Sequence, residues 1–340
     1  MIFSYVIIVI VLSRGKNMQS WVINGTKKIS LHLEDANECN LKENARIKIS
    51  KVPLCKSDIA CYENKYDNLP IIPGRSAIGL ISECDDLSFR KGQRVYVSPY
   101  TKENNRIFVN AKDIDGYLSD YQTAPLSSIS IVPESIPDDS FCFVEDIALC
   151  IKTIKLLEIK TTNYVLLYGA TCLNILLAQM CLYHQAIPII IDTDKESLDI
   201  AEYHGIYYTI NPKIDNVSER LIEITAGAMA DKLIVDIDAL EDIQSDILKY
   251  ISQNGKAAFI GFNTTIDKTN IDISSIINKR LTIYGINDGI GEIEPAINML
   301  ATGIVKVDNL LDKVYDISQV KDAFLDLSSK KIRFKSIVHC

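Results

Sequence analysis

The sequence predicts an α/β chain in two parts, a β-rich part followed by a doubly wound parallel sheet. Three observations carry this expectation. The chain has 340 residues, too many for one small core and suited to two domains. From Met18 to about Tyr100, short β-rich segments are broken by Gly and Pro turns. Beyond Asp146, apolar runs alternate with stretches of helical spacing, the pattern of βαβ units.

In the first part, Arg46-Ile-Lys-Ile-Ser-Lys-Val alternates apolar and polar residues as a half-buried strand should. Ala77 to Glu83 and Arg94 to Ser98 read as further strands, and Lys102 to Asp115 as a polar, irregular surface loop. In the second part, Asp146 to Glu158 has helical spacing, and Tyr164-Val-Leu-Leu-Tyr168 is the continuous apolar run of a parallel-sheet strand. Ile175 to Tyr183 reads as an apolar helix, Pro188 to Asp192 as the next strand, and Ser197 to His204 as a helix stopped by Gly205. Strands are expected again at Lys232–Ile237, Lys256–Gly261 and Arg280–Gly285.

Composition narrows the function. An apolar fraction of 47% and a charged fraction of 24% are ordinary for a globular protein. A net charge of −8 and a pI near 5.2 speak against nucleic acid as a partner, which needs concentrated positive charge. No stretch reaches the roughly 18 apolar residues of a membrane span, so no membrane partner is expected. Nine cysteines without a Cys-x-x-Cys pair make no disulfide framework. Most are expected to be small buried apolar residues, and a reducing cytoplasm suits them. At the N-terminus, Met1 to Leu12 is apolar, but its basic residues follow the run and do not precede it. Residues 1–17 therefore read as a leader upstream of a start at Met18, in preference to a secretory signal or anchor.

Three stretches bear the chemistry: Cys55-Lys-Ser-Asp58, Pro70-Ile-Ile-Pro-Gly-Arg75-Ser-Ala-Ile-Gly-Leu-Ile-Ser-Glu83, and Lys91-Gly-Gln-Arg-Val-Tyr-Val-Ser-Pro99. Together they resemble the catalytic-domain signature of the medium-chain dehydrogenase/reductase superfamily, especially its polyol and threonine dehydrogenases. The resemblance runs over roughly residues 18–338 with order and spacing kept. It implies a GroES-like catalytic domain (residues 18–142 and 288–340) and a Rossmann nucleotide-binding domain (143–287). It also implies hydride transfer between NAD(P) and a small alcohol or carbonyl compound. A homodimer joined through the sheet edge at Ala257–Gly285 is implied as well, with a homotetramer as the alternative.

The same resemblance exposes departures. Where the family has Gly-His-Glu, with a zinc-binding histidine, this chain has Gly74-Arg75-Ser76. An arginine has no lone pair to give a metal. Cys55 matches the family's first ligand, Ser57 its proton-relaying hydroxyl and Asp58 the residue beside it. Glu145 matches a further ligand, although the proline after it is Asp146 here. None of the four histidines is placed by sequence to substitute, so no metal ligand set is assigned. The family's lobe of four cysteines around a structural zinc has no counterpart, because residues 102–115 contain no cysteine. Arg75, paired with Glu145 or Asp58, can replace the metal's charge and hold a carbonyl or carboxylate. Alternatively it fills and neutralises a decayed pocket. Cys55 is either a buried thiol or, beside Arg75, a nucleophile of lowered pKa.

After the strand ending at Tyr168 stands Gly169-Ala-Thr171-Cys172-Leu173-Asn174, in which only the first glycine of the family's Gly-x-Gly-x-x-Gly remains. Gly169 can make the tight turn, and a helix start at Cys172 and Leu173 still offers N–H groups to a phosphate. Thr171 and Asn174 add bulk where close approach is expected. Asp192 stands at the end of the second strand, about the expected 20 residues on. There it either accepts the adenosine ribose hydroxyls, favouring NAD over NADP, or is a simple helix-start residue. The competing function is a non-catalytic relative that binds a ligand in the cleft or serves as an oligomeric partner.

Overall fold

A computed structural model describes residues 17–35, 40–63, 68–103, 105–237, 247–261 and 271–340. The expected leader, residues 1–17, lies outside them except for Asn17, which opens the first strand. β1 (Asn17–Gly25) and β2 (Lys28–Asp35) form an antiparallel pair. β3 (Asn44–Leu54) is the longest strand of the first part and leads into α1 (Lys56–Tyr62). β4 (Ala77–Glu83), β5 (Arg94–Val97), β6 (Tyr100–Glu103), β7 (Arg106–Val109), β8 (Tyr121–Pro125) and β9 (Ile129–Ile131) follow. β3 alternates because Ile47, Ile49 and Val52 point into the core while Lys48 faces solvent.

The expected loop at Lys102–Asp115 is a correction. It begins as an antiparallel hairpin of β6 and β7, with Tyr100 opposite Val109 and Thr101 opposite Phe108. β7 buries none of its residues and β6 leaves Lys102 and Glu103 exposed, so a polar composition hid a genuine ladder.

Next come α2 (Asp138–Phe141), α3 (Val144–Leu157), β10 (Tyr164–Tyr168), α4 (Cys172–Tyr183), β11 (Ile187–Ile191), α5 (Lys195–Tyr203), β12 (Tyr208–Ile210), α6 (Val217–Ile224) and β13 (Ala230–Asp236). The order then runs β14 (Ile251–Ile260), α7 (Ile273–Lys279), β15 (Thr282–Ile286) and α8 (Ile293–Ala301). β16 (Leu311–Asp316), α9 (Val320–Ser328) and β17 (Lys335–His339) end the chain. Every strand pairing from β10 to β15 is parallel, in the order β12-β11-β10-β13-β14-β15. The order reverses between β10 and β13, which makes the crevice outside their carboxyl ends the switch point where ligands of such sheets bind. β10 is apolar throughout its middle because it has a strand on both sides, and Val165, Leu166 and Leu167 are fully buried. α4 is buried on all sides from Cys172 to Cys181, which explains its lack of a polar face.

The second sheet has seven strands, β16-β17-β3-β4-β5-β9 with β8 beside β3. β17 returns from the end of the chain to pair with β3. This is the GroES-like plus Rossmann α/β architecture expected from the sequence. A row of ion pairs joins the seven-stranded sheet to α2 and α3. Lys51 on β3 meets Asp139 at 2.5 Å and Arg94 on β5 meets Asp138 at 2.8 Å. Arg75, just before β4, meets Glu145 at 2.6 Å, and Lys335 on β17 meets Asp146. The eight described cysteines are all free thiols. Among the described residues, no helix is long and apolar enough to cross a membrane.

Candidate active site

β3 ends at Leu54, and Cys55 takes an extended conformation as the N-cap of α1. Asp58, at the third helical position, turns back so that its Oδ2 accepts the Cys55 backbone N–H at 2.9 Å. Its other oxygen accepts the Gly74 N–H at 2.8 Å. Asp58 is fully buried, so this one carboxylate stitches together the two motif segments. Gly74 has φ +89°, and a Cβ there would lie 2.4 Å from Val52 Cγ1. A glycine is therefore required by conformation and by space.

The turn at Gly74 delivers Arg75 into the protein. Its carbonyl accepts from Asn110 Nδ2 at 3.3 Å, and its Nη2 lies 2.6 Å from Glu145 Oε1 at the start of α3. Arg75 and Glu145 are only 4% and 6% exposed, so this is a buried contact ion pair. Of the two carboxylates considered from sequence, Glu145 is the partner, while Asp58 is engaged by backbone and thiol. Burial pushes the Glu145 carboxyl up, and the guanidinium opposes that push. Burial works most strongly against the charge on Arg75, but Glu145, together with smaller contributions from Cys55, Tyr100 and Asp58, outweighs it and holds the guanidinium charged. Tyr100 lies beneath, its ring centroid 5.9 Å from the guanidinium carbon.

Cys55 Sγ lies 2.8 Å from Ser57 Oγ and donates to Asp58 Oδ2 at 3.1 Å. Burial, then the Asp58 charge, raise its pKa well above that of an ordinary thiol, and Arg75 offsets only part of this. The lowered pKa considered from sequence is thus corrected: Cys55 is held as a thiol, not a thiolate. Cys55, Ser57, Asp58, Arg75 and Glu145 are accordingly brought into one cluster.

The nucleotide-loop residues gather separately, at the switch point. Gly169 has φ +98°, the left-handed turn only glycine adopts freely. Thr171 caps α4, its Oγ1 accepting from Asn174 N at 3.1 Å and donating to Asp236 Oδ2 at 2.7 Å. Asp192 Oδ2 accepts the Ala170 N–H at 2.6 Å, and its Oδ1 that of Asp194 at 2.7 Å. Carboxylates at the ends of β11 and β13 thus hold the loop after β10 from both sides. Asn174, fully buried, donates to Tyr168 O at 3.0 Å and Gly169 O at 2.8 Å, so the bulk expected to obstruct is used to tie the turn. Cys172 and Leu173 form the buried first turn of α4, and Cys150 Sγ on α3 donates to Leu173 O at 3.4 Å.

Sequence reasoning missed Tyr100, Asp236 and the Asp146–Lys335 pair. Asp236 carried a usable signal, since it ends an apolar strand as Asp192 does. The pair of Asp146 with Lys335 spans 189 residues and had none. A cavity of about 750 Å³ under edge strand β12, lined by Glu202, Tyr207, Tyr208, Thr209 and Arg220, is separate from both clusters.

Comparison with known proteins agrees with this fold. Residues 42–134 match the alcohol dehydrogenase GroES-like domain and residues 173–302 the zinc-binding dehydrogenase domain. An uncharacterized zinc-type alcohol dehydrogenase-like protein of Haemophilus influenzae is 26% identical over 83% of this chain and 87% of its own length. Sorbitol dehydrogenase of Bacillus subtilis is 22% identical over 94% and 95%. Among solved structures, an Escherichia coli alcohol dehydrogenase (rspB) in complex with NADH superposes with a TM-score of 0.86 at 20% identity, covering 96% of this chain and 100% of that one. Fold and motifs thus define an alcohol dehydrogenase-like protein. The chain belongs to the medium-chain dehydrogenase/reductase superfamily.

Proposed function

We propose that the protein is an oxidoreductase that moves a hydride between a nicotinamide dinucleotide and a small alcohol or carbonyl compound, and that it does so without zinc. The observation that carries the reading is the buried Arg75–Glu145 pair beside Cys55 and Ser57. The residues do not fit a catalytic zinc: Arg75 offers no lone pair, Glu145 is engaged by it, and Cys55 keeps its proton. Arg75 instead gives the site a fixed positive charge that would polarise a substrate oxygen, and the Ser57 hydroxyl is the group to exchange a proton with that oxygen.

The dinucleotide site does fit its ligand in outline. Gly169 makes the turn, the first turn of α4 presents N–H groups to a phosphate, and Asp192 would accept ribose hydroxyls. When bound, the nicotinamide supplies or accepts the hydride. Asp192 would repel a 2′-phosphate, so NAD is preferred to NADP. We assign residues 18–142 with 288–340 to the catalytic domain and 143–287 to the nucleotide domain. The assembly we propose is a cytoplasmic homodimer through the open edge of β15, with a homotetramer as the alternative.

One observation favours the non-catalytic reading: Asp192 and Asp236 already bind the loop that a dinucleotide would contact. Thermal unfolding with NADH and with NADPH separates the two. A nucleotide at 100 times its Kd stabilises by about 2.7 kcal/mol, and the larger shift is expected with NADH. No shift with either nucleotide overturns the oxidoreductase reading. Stoichiometric zinc in the purified protein overturns the metal-free site.

A further inference from the structure

We propose that Tyr100 is a positioning residue that couples the Arg75–Glu145 pair to the loop after β15, so that nucleotide binding and guanidinium orientation share one phenol side chain, its ring on Arg75 and its hydroxyl on the loop. The inference rests on the oxidoreductase reading and deepens it. Tyr100 is 8% exposed. Its main chain is fixed by Ser98 Oγ, which accepts its N–H at 3.2 Å, and by Ser128 Oγ, which donates to its carbonyl at 3.2 Å. Its ring faces Arg75, and its hydroxyl oxygen accepts the Gly289 N–H at 3.2 Å from the far end of the sequence.

The loop receiving this contact follows the last strand of the parallel sheet, on the carboxyl side where ligands of such sheets bind. It is also tied to α3. Lys152 meets Asp288 at 2.5 Å and Lys155 meets Glu292 at 2.7 Å. A Cβ on Gly289 would lie 2.6 Å from Ala148 Cβ and 2.7 Å from Leu149 N, so the loop backbone rests directly on that helix. The same helix carries Glu145 in its first turn. The contacts therefore close a ring: Arg75 to Glu145, along α3, across to the 288–292 loop, and through Tyr100 back to Arg75. Burial, with the nearby Glu145 charge, pushes the phenol up and keeps it a neutral O–H. A displacement of the loop by a bound nucleotide is thus passed to the guanidinium by two routes, of which only the Tyr100 route can be cut by deleting a single oxygen.

The test is Tyr100→Phe in the full chain, which keeps the ring and removes the hydroxyl. NADH affinity is read by fluorescence titration, and the state of the arginine site by hydrogen exchange of the peptide that contains Arg75, followed by mass spectrometry. Loss of the hydrogen bond that holds the 288–292 loop in place before the nucleotide arrives is expected to weaken NADH binding, by at most about 5-fold. In the wild type, NADH is expected to lower the exchange rate of the Arg75 peptide. In Y100F, saturating NADH is expected to leave that rate unchanged. If Y100F keeps both NADH affinity and the NADH effect on the Arg75 peptide, the coupling is overturned. If the wild type itself binds no NADH, the oxidoreductase reading fails, and hydrogen exchange of the free protein decides the coupling separately. Faster exchange in Y100F in both the Arg75 peptide and the 287–292 peptide supports it; faster exchange confined to 287–292 overturns it.

Discussion

Replacing Arg75 by methionine isolates the value of the buried pair. At an N···O separation of 2.6 Å, two unit charges attract by about 6 kcal/mol at an effective dielectric constant of about 20. Taking each ion out of water costs several kcal/mol, so the pair as a whole contributes little net stability. Removing one member is different, because it strands the other. Arg75→Met leaves the Glu145 carboxylate buried with its principal partner gone, and losses of about 3–5 kcal/mol follow from such orphaned charges. For 340 residues melting as one unit, the unfolding entropy corresponds to about 0.7 kcal/mol per degree, so a loss of 4 kcal/mol lowers Tm by about 6 °C. Arg75→Met combined with Glu145→Leu removes both charges and is expected to recover most of that loss. The assay is a double-mutant cycle by calorimetry at neutral pH. If Arg75→Met costs less than about 1 kcal/mol, or if the double variant is as unstable as the single one, the pair is not the closed electrostatic unit argued above.

Three further outcomes are expected. Gly116→Ala would place a Cβ 2.3 Å from Gly74 O and 2.6 Å from Pro73 O; since these are backbone atoms, about 1–3 kcal/mol should be lost, measured by thermal unfolding. Asn174→Ala removes two buried hydrogen bonds to the turn after β10 and should cost about 1–3 kcal/mol while leaving the far-UV circular dichroism unchanged. The pKa values of the Cys55, Cys150 and Cys172 thiols are all raised well above the ordinary value of about 9, in each case by burial first. The folded protein therefore holds protons that the unfolded chain releases near pH 9, so their contribution is complete below that pH and is lost as pH climbs toward the folded values. Tm should fall on the alkaline side of pH 9, and Cys55→Ser should flatten that fall; a flat profile in the wild type would refute the assignment.

The strand positions were legible because burial writes itself into composition. Tyr164–Tyr168 is apolar since it has a strand on either side, and Arg46–Val52 alternates since β3 has one wet face. The hairpin of β6 and β7 was not legible, because a ladder exposed to water imposes little on its side chains. At the site, the residue types were legible and their partnerships were not. Nothing local to Thr171 or Asn174 announces that Asp236 and the carbonyls of Tyr168 and Gly169 will satisfy them, so lost glycines looked only like obstruction. Asp146 looked like a lost proline, and its ion pair with Lys335 exists only once β17 has come back beside β3. The choice between Glu145 and Asp58 as partner of Arg75 likewise depended on the backbone N–H of Gly74, which claims Asp58 first.

The positive charge at Arg75 is part of the covalent chain. It arrives with translation, needs no delivery from a metal store and cannot be stripped by a chelator or exchanged for a competing ion. Its counter-charge, Glu145, is 70 positions further along the sequence, so the site becomes electrically balanced at the moment the turn at Gly74 and the first turn of α3 meet. Scarcity of metal in the surroundings leaves that balance untouched.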